Sequence, residues 1–148
     1  MPSLGGSDPY DLARFSDAQD GMFEQACAEL RAGRKVTHWM WFVFPQIKGL
    51  GLSATARRFA IRSLAEARAY LGHPLLGSRL TATTGLVLGV PDRTLHQIFG
   101  TPDDLKFRSS MTLFEVAAGR GCVFCEAIER MCGGSRDEAT LALLAAEG

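Results

Sequence analysis

The chain has 148 residues, 47% of them hydrophobic, and 16 basic side chains balance 16 acidic ones. That is enough apolar chain for one domain with its own core. The even charge balance excludes the simplest case for a nucleic-acid or membrane-surface binder, so neither partner is expected.

Residues 1–7 read as a flexible leader, without the charged start and apolar run of an export signal. The longest uncharged stretches, Val36 to Ile47 and Leu80 to Pro91, are about half the length of a membrane span. The expectation is a cytoplasmic protein whose four cysteines are thiols.

From residue 8 to residue 148 the chain reads as a single helical domain. Asp8-Pro9 has the form of a helix cap followed by a first-turn proline, opening a short helix through Leu12, Ala13 and Phe15. Ser16 to Gln19 has capping-box form and predicts a second start. Met22, Phe23, Ala26, Cys27 and Leu30 then make one apolar stripe, which Gly33 ends.

The most distinctive stretch follows: His38-Trp39-Met40-Trp41-Phe42-Val43-Phe44-Pro45-Gln46. Its aromatic and β-branched content suits a buried strand as well as a helix opened by Thr37 and closed before Pro45. The helix is preferred because no other segment offers a convincing partner strand.

Ser53 caps a predicted helix through Ile61, and Ser63 to Glu66 forms a capping box for the next, which Gly72 stops. His73-Pro74 opens a helix with Leu76, Leu80, Thr83, Thr84 and Val87 on its inner face, weakened in its second half by Gly85 and Gly89. Thr94 to Gln97 is another capping box, for a short helix ending at Gly100. Thr101 to Asp104 opens a helix that turns Phe107, Met111, Phe114 and Ala118 to one side. Phe124, Ala127, Ile128 and Met131 mark one more helix, and Ser135 to Glu138 caps the last. The fold expected is all-α, a compact single-domain array or bundle of six or more helices.

Three segments carry a resemblance. They are His38 to Gln46, then Ala60-Ile61 with Glu66-Ala67, Tyr70-Leu71 and His73-Pro74, then Lys106 with Ser109-Ser110-Met111-Thr112-Leu113-Phe114. Together, over about Tyr10 to Leu144, they resemble the bacterial family catalogued as domain of unknown function 1810. The resemblance implies a compact, mostly helical fold and no established activity. Phe59 departs from the tyrosine expected of relatives, so a hydroxyl there is not needed for chemistry. A calpastatin-like label attached to some members finds no inhibitor repeat here.

Three groups of residues have the composition of a site. His38 supplies an acid, base or donor, Trp39 and Trp41 supply stacking faces, and Gln46 follows them; the competing reading is a filled core. Lys106 with Ser109 or Ser110 shares a helix face, which suits ligand hydrogen bonding or, less directly, nucleophilic catalysis. Lys48 to Ser53, a glycine-rich loop running into Arg57 and Arg58, has the ingredients of an anion site, against a solvated basic turn.

The function expected is binding, or processing, of a small polar or anionic ligand, nucleotide-like in character, in an aromatic-walled cleft. Its lining would be His38, Trp39, Trp41, Gln46, Lys48, Lys106, Ser109 and Ser110, with His38, Lys106 and Ser109 as catalytic candidates. The alternative is a protein-interaction module whose aromatics serve only as core. No cofactor and no metal are expected, because Cys122 and Cys125 form a lone pair and the histidines are scattered.

Overall fold

The computed structural model describes residues 7–119 and 121–147. The predicted leader lies, but for Ser7, outside the described residues. Ten helices follow in order. They are α1 (Ala13–Asp20), α2 (Phe23–Arg31), α3 (Met40–Val43), α4 (Ala54–Arg58) and α5 (Leu64–Gly72), then α6 (Leu76–Leu88), α7 (Leu95–Phe99), α8 (Asp103–Ala118), α9 (Val123–Met131) and α10 (Glu138–Glu147). The all-α expectation holds. Among the described residues the only strand-like feature outside the helices is an isolated parallel bridge between Ile47 and Ile61.

Helix α8, the longest, is the post around which α5, α7, α9 and α10 pack, while α6 closes against α2, α5 and α9. The inner stripe expected of α6 is buried at all five positions. On α8 the expected stripe is buried at Phe107, Met111 and Phe114, but Ala118 is exposed in the final residue of the helix. Two aromatic files cross the interior. Trp39, Phe44, Phe99 and Phe107 meet with ring centroids 5.1–6.5 Å apart. Phe15, Tyr70, Phe114 and Phe124 follow one another at 5.1–5.9 Å. Such edge, tilted and stacked pairs add roughly 0.5–1.5 kcal/mol each beyond the area they bury.

The predicted helix starts hold in part. Thr94 and Gln97 form the reciprocal capping box, and Ser53 accepts from the Ala56 N–H. Ser63 likewise accepts from Glu66 N–H, but the Glu66 carboxylate turns to Arg14 and Arg62 instead of closing its box. Ser16 starts nothing, because it lies inside α1. The cap there is Asp8, whose two carboxylate oxygens accept from the N–H groups of Leu12 and Ala13 at 2.8 and 3.0 Å. The aromatic stretch is helical for a single turn. Thr37 does not open it, since the Thr37 hydroxyl donates to Glu29.

Candidate functional site

The aromatic stretch is organised from below by Glu29, a buried carboxylate at the end of α2. Its Oε1 accepts from Val36 N–H, Thr37 N–H and the Trp39 indole Nε1–H, at 2.7–3.0 Å. Its Oε2 accepts from the Thr37 hydroxyl and the Gln25 amide. Burial pushes the carboxyl upward, but the donors from Thr37, Val36 and Gln25 outweigh it and hold the pKa at about 2. Trp39 is thereby locked into the core at zero exposure, and it corrects the expectation of a cleft wall. His38, next to it, points the other way in exposure and is solvent-facing.

Trp41 is half-buried, and the Lys106 ammonium stands 5.1 Å from its ring centroid. Lys106 also lies 3.5 Å from Asp103, which takes a 2.8 Å contact from Lys35 on its other oxygen. Gln46 and Trp41 share a crevice of only about 10 Å³, with room for no more than about one water.

Ser109 and Ser110 are buried, which removes them from any open cleft. The Ser109 hydroxyl donates to the Leu105 carbonyl and to Asp137 Oδ2, both at 3.1 Å. Asp137 also accepts from the N–H and hydroxyl of Thr140, and its own N–H donates to Thr112 Oγ1 at 3.0 Å. Ser109 and Thr112 therefore pin the start of α10 onto α8. No serine–lysine pair forms, because Lys106 is committed to Asp103 and Trp41. The buried Ser110 Oγ has no partner, and nothing in the structure explains it.

A different cleft is built from segments that precede and follow the aromatic stretch in sequence. It encloses about 360 Å³ and is lined by Asp11, Arg14, Arg57, Arg58, Ala60 and Arg62. Arg14 is its foundation. Its Nε donates to Arg58 O, its Nη1 to Tyr10 O and Asp11 O, and its Nη2 to Ala60 O and Glu66 Oε2, all at 2.7–2.8 Å. All five guanidinium donors are spent on the protein itself. Arg62 is partly committed, through Nε to Glu66 at 2.9 Å and Nη2 to Tyr10 O at 2.7 Å.

Arg57 and Arg58 are different. Both are exposed, and neither has an ion-pair partner among the described residues; the Arg58 guanidinium lies 5.2 Å from the Phe59 ring centroid. Four guanidiniums thus surround two carboxylates, Asp11 at the rim and the fully buried Glu66 behind Arg14. Arg57 and Arg58 were already visible as the basic end of the glycine-rich loop. Arg14, Arg62 and Asp11 were missed, since only tertiary contacts bring them there.

A second cavity of about 290 Å³ shares Arg57 and Ala60 with the wall of the first, and Lys48, Gly49, Gly51 and Leu52 complete its own. Its two sides are tied by the 47–61 bridge, in which Ile61 N–H donates to Gln46 O and Lys48 N–H donates to Ile61 O. Of the expected site residues, Lys48 shares a cavity wall with Arg57.

The four cysteines are free. A hydrogen bond with Glu115 raises the Cys125 thiol pKa, so it is a poor thiolate source, and burial raises that of Cys132. Among the described residues no group of three or more His, Cys, Asp or Glu is placed to hold a metal ion. No helix among them is long and apolar enough to cross a membrane.

The chain belongs to the family described as protein of unknown function DUF1810, whose model matches residues 9–144. It is similar in structure to the conserved hypothetical protein Rv1873 from Mycobacterium tuberculosis, known from a crystal structure. The two share 54% identity over 93% of this chain and 99% of that one, with a TM-score of 0.92. Comparison with the curated proteins gives no match.

Proposed function

We propose that this protein binds a small anion, of phosphate or carboxylate type, in the arginine cleft. The observation that supports this is the pairing of Arg57 and Arg58. Two exposed guanidiniums, neither in an ion pair among the described residues, flank a concave site whose floor is fixed by Arg14 and whose lining holds one carboxylate, Asp11. Adjacent unpaired cations repel one another, and an anion between them converts that repulsion into charge-assisted, bidentate hydrogen bonds. The small polar or anionic ligand expected from the sequence is retained. Its place moves from the Trp39 side, where Trp39, Ser109 and Ser110 are buried, to the Arg57 side, where no aromatic ring is among the lining residues described. No reaction is assigned.

The test is thermal unfolding with phosphate, pyrophosphate or sulfate, against sodium chloride at matched ionic strength. Binding to the folded state alone adds about 2.7 kcal/mol at a ligand concentration of 100 Kd. A saturable rise in Tm with the oxyanions, lost in Arg57→Ala/Arg58→Ala, is expected. An equal rise in the double variant, or no rise beyond chloride, would remove the proposal.

A further inference from the structure

We infer that the ligand is a phosphate monoester of an apolar, ring-sized group, with its phosphoryl oxygens on Arg57 and Arg58 and its ring in the cavity beneath Leu52; this rests on the reading of the arginine cleft as an anion site. The two cavities share a wall, because Arg57 and Ala60 line both. They differ in chemistry. The first is ringed by guanidiniums. The second, of about 290 Å³, is walled by Gly49, Gly51, Leu52 and Ala60, with Lys48 and Arg57 its only charged side chains. Both charges are positive, matching an anionic ligand that enters ring first. Among the described residues no neutral hydrogen-bonding side chain lines the cavity, so it suits carbon surface better than the polar edges of a nucleobase.

The cavity is preformed. A Cβ on Gly51 would stand 2.6 Å from that of Ala56, so the loop lies directly against α4 and leaves no space between them. Gly49, at φ +109, is backed by Leu143 of α10, whose methyl carbons would be 3.3 Å from an added Cβ. The loop is thus held from both sides, and little ordering cost attends ligand entry. Leu52, 75% exposed at the rim, is left with no apolar cover of its own. A ring in the cavity would provide it.

The experiment is calorimetric titration of the full chain with inorganic phosphate, phenyl phosphate and adenosine monophosphate at fixed ionic strength, repeated on Leu52→Ser. Phenyl phosphate should bind at least tenfold tighter than inorganic phosphate, about 1.4 kcal/mol. Leu52→Ser, a change at an exposed position that leaves the fold intact, should erase that gain and keep phosphate binding unchanged. Adenosine monophosphate should bind more weakly than phenyl phosphate. The inference is overturned, with the anion reading left standing, if phosphate binds and phenyl phosphate binds no tighter, or if the gain survives in Leu52→Ser. Tighter binding of adenosine monophosphate than of phenyl phosphate overturns the apolar assignment. If none of the three binds, the anion reading itself fails and this inference with it.

Discussion

Glu29 Oε1 accepts the indole N–H of Trp39 at 3.0 Å, inside a core where both side chains are almost wholly buried. This contact explains why a stretch so rich in aromatics sits inward at Trp39. A buried indole N–H needs an acceptor, and a buried carboxylate needs several donors. Glu29 collects five hydrogen bonds from Gln25, Val36, Thr37 and Trp39, joining α2 to the segment that leads into α3.

Stability should therefore depend on acid through Glu29. Its folded pKa of about 2 lies below the ordinary 4.5, so the unfolded chain takes up the proton first. The contribution is full above pH 4.5, drains as pH falls toward 2, and is on the order of 3 kcal/mol. Glu29→Gln places an amide among donors and should cost about 2–4 kcal/mol at pH 7. Urea unfolding at pH 7 and pH 3 checks both points. The variant should lie well below wild type at pH 7 and approach it at pH 3, and parallel curves at the two pH values would contradict the assignment.

Two glycines of α6 should respond oppositely to alanine. A Cβ on Gly77 would meet the Leu71 carbonyl oxygen at 2.1 Å, where α5 turns into α6, and backbone cannot yield as a side chain can. Gly77→Ala should cost about 1–3 kcal/mol or more. Gly85 is exposed with nothing within 4 Å, so Gly85→Ala should add about 0.5–1 kcal/mol. Melting temperatures that move together would show that the α5–α6 contact is looser than described.

Local signals in the sequence were legible where local physics decides. The α6 stripe from Leu76 to Val87 is buried as its spacing requires, and Thr94 finds Gln97 three residues on. They failed where a distant partner outbids a near one. Glu66 abandons the Ser63 box because Arg14, 52 residues away, reaches its carboxylate, and Thr37 gives its hydroxyl to Glu29. The same reason hid most of the cleft. Arg57 and Arg58 announce themselves beside Gly49 and Gly51, but nothing around Tyr10 or Arg62 in sequence indicates that they meet there. Ser109 misled for the converse reason: its polarity serves Asp137, a partner 28 residues later.

Asp137 should prove to be the anchor of α10. It accepts from Ser109 and twice from Thr140, and its N–H reaches Thr112. Asp137→Ala leaves those buried hydroxyls short of partners and should cost about 1–3 kcal/mol. Hydrogen exchange should show the loss first in residues 138–147, and in the loop at Gly49 that Leu143 supports. Unchanged protection across α10 would argue that its contacts with α8 suffice without the carboxylate.

The last prediction separates the arginines that build the cleft from those that face its contents. Arg14 is 9% exposed in its side chain, pairs with the buried Glu66 at 2.7 Å, and spends every donor on protein oxygens. A lysine there keeps the charge but has three donors on a single nitrogen, and cannot span Tyr10, Arg58, Ala60 and Glu66 together. Arg14→Lys should cost about 2–4 kcal/mol and disorder the cleft, since breaking a buried pair leaves uncompensated groups behind. Arg57 and Arg58 make no such contacts, so Arg57→Ala and Arg58→Ala should alter stability by no more than about 0.5 kcal/mol. In the double variant, relief of like-charge repulsion should leave the melting temperature level with wild type or slightly higher at low salt. Denaturation curves and oxyanion titrations on wild type, Arg14→Lys and the double variant decide it. Arg14→Lys should lose stability, and the double alanine variant should lose only binding. A double variant as unstable as Arg14→Lys would mean that Arg57 and Arg58 are structural after all, and that the cleft has no free cations to offer.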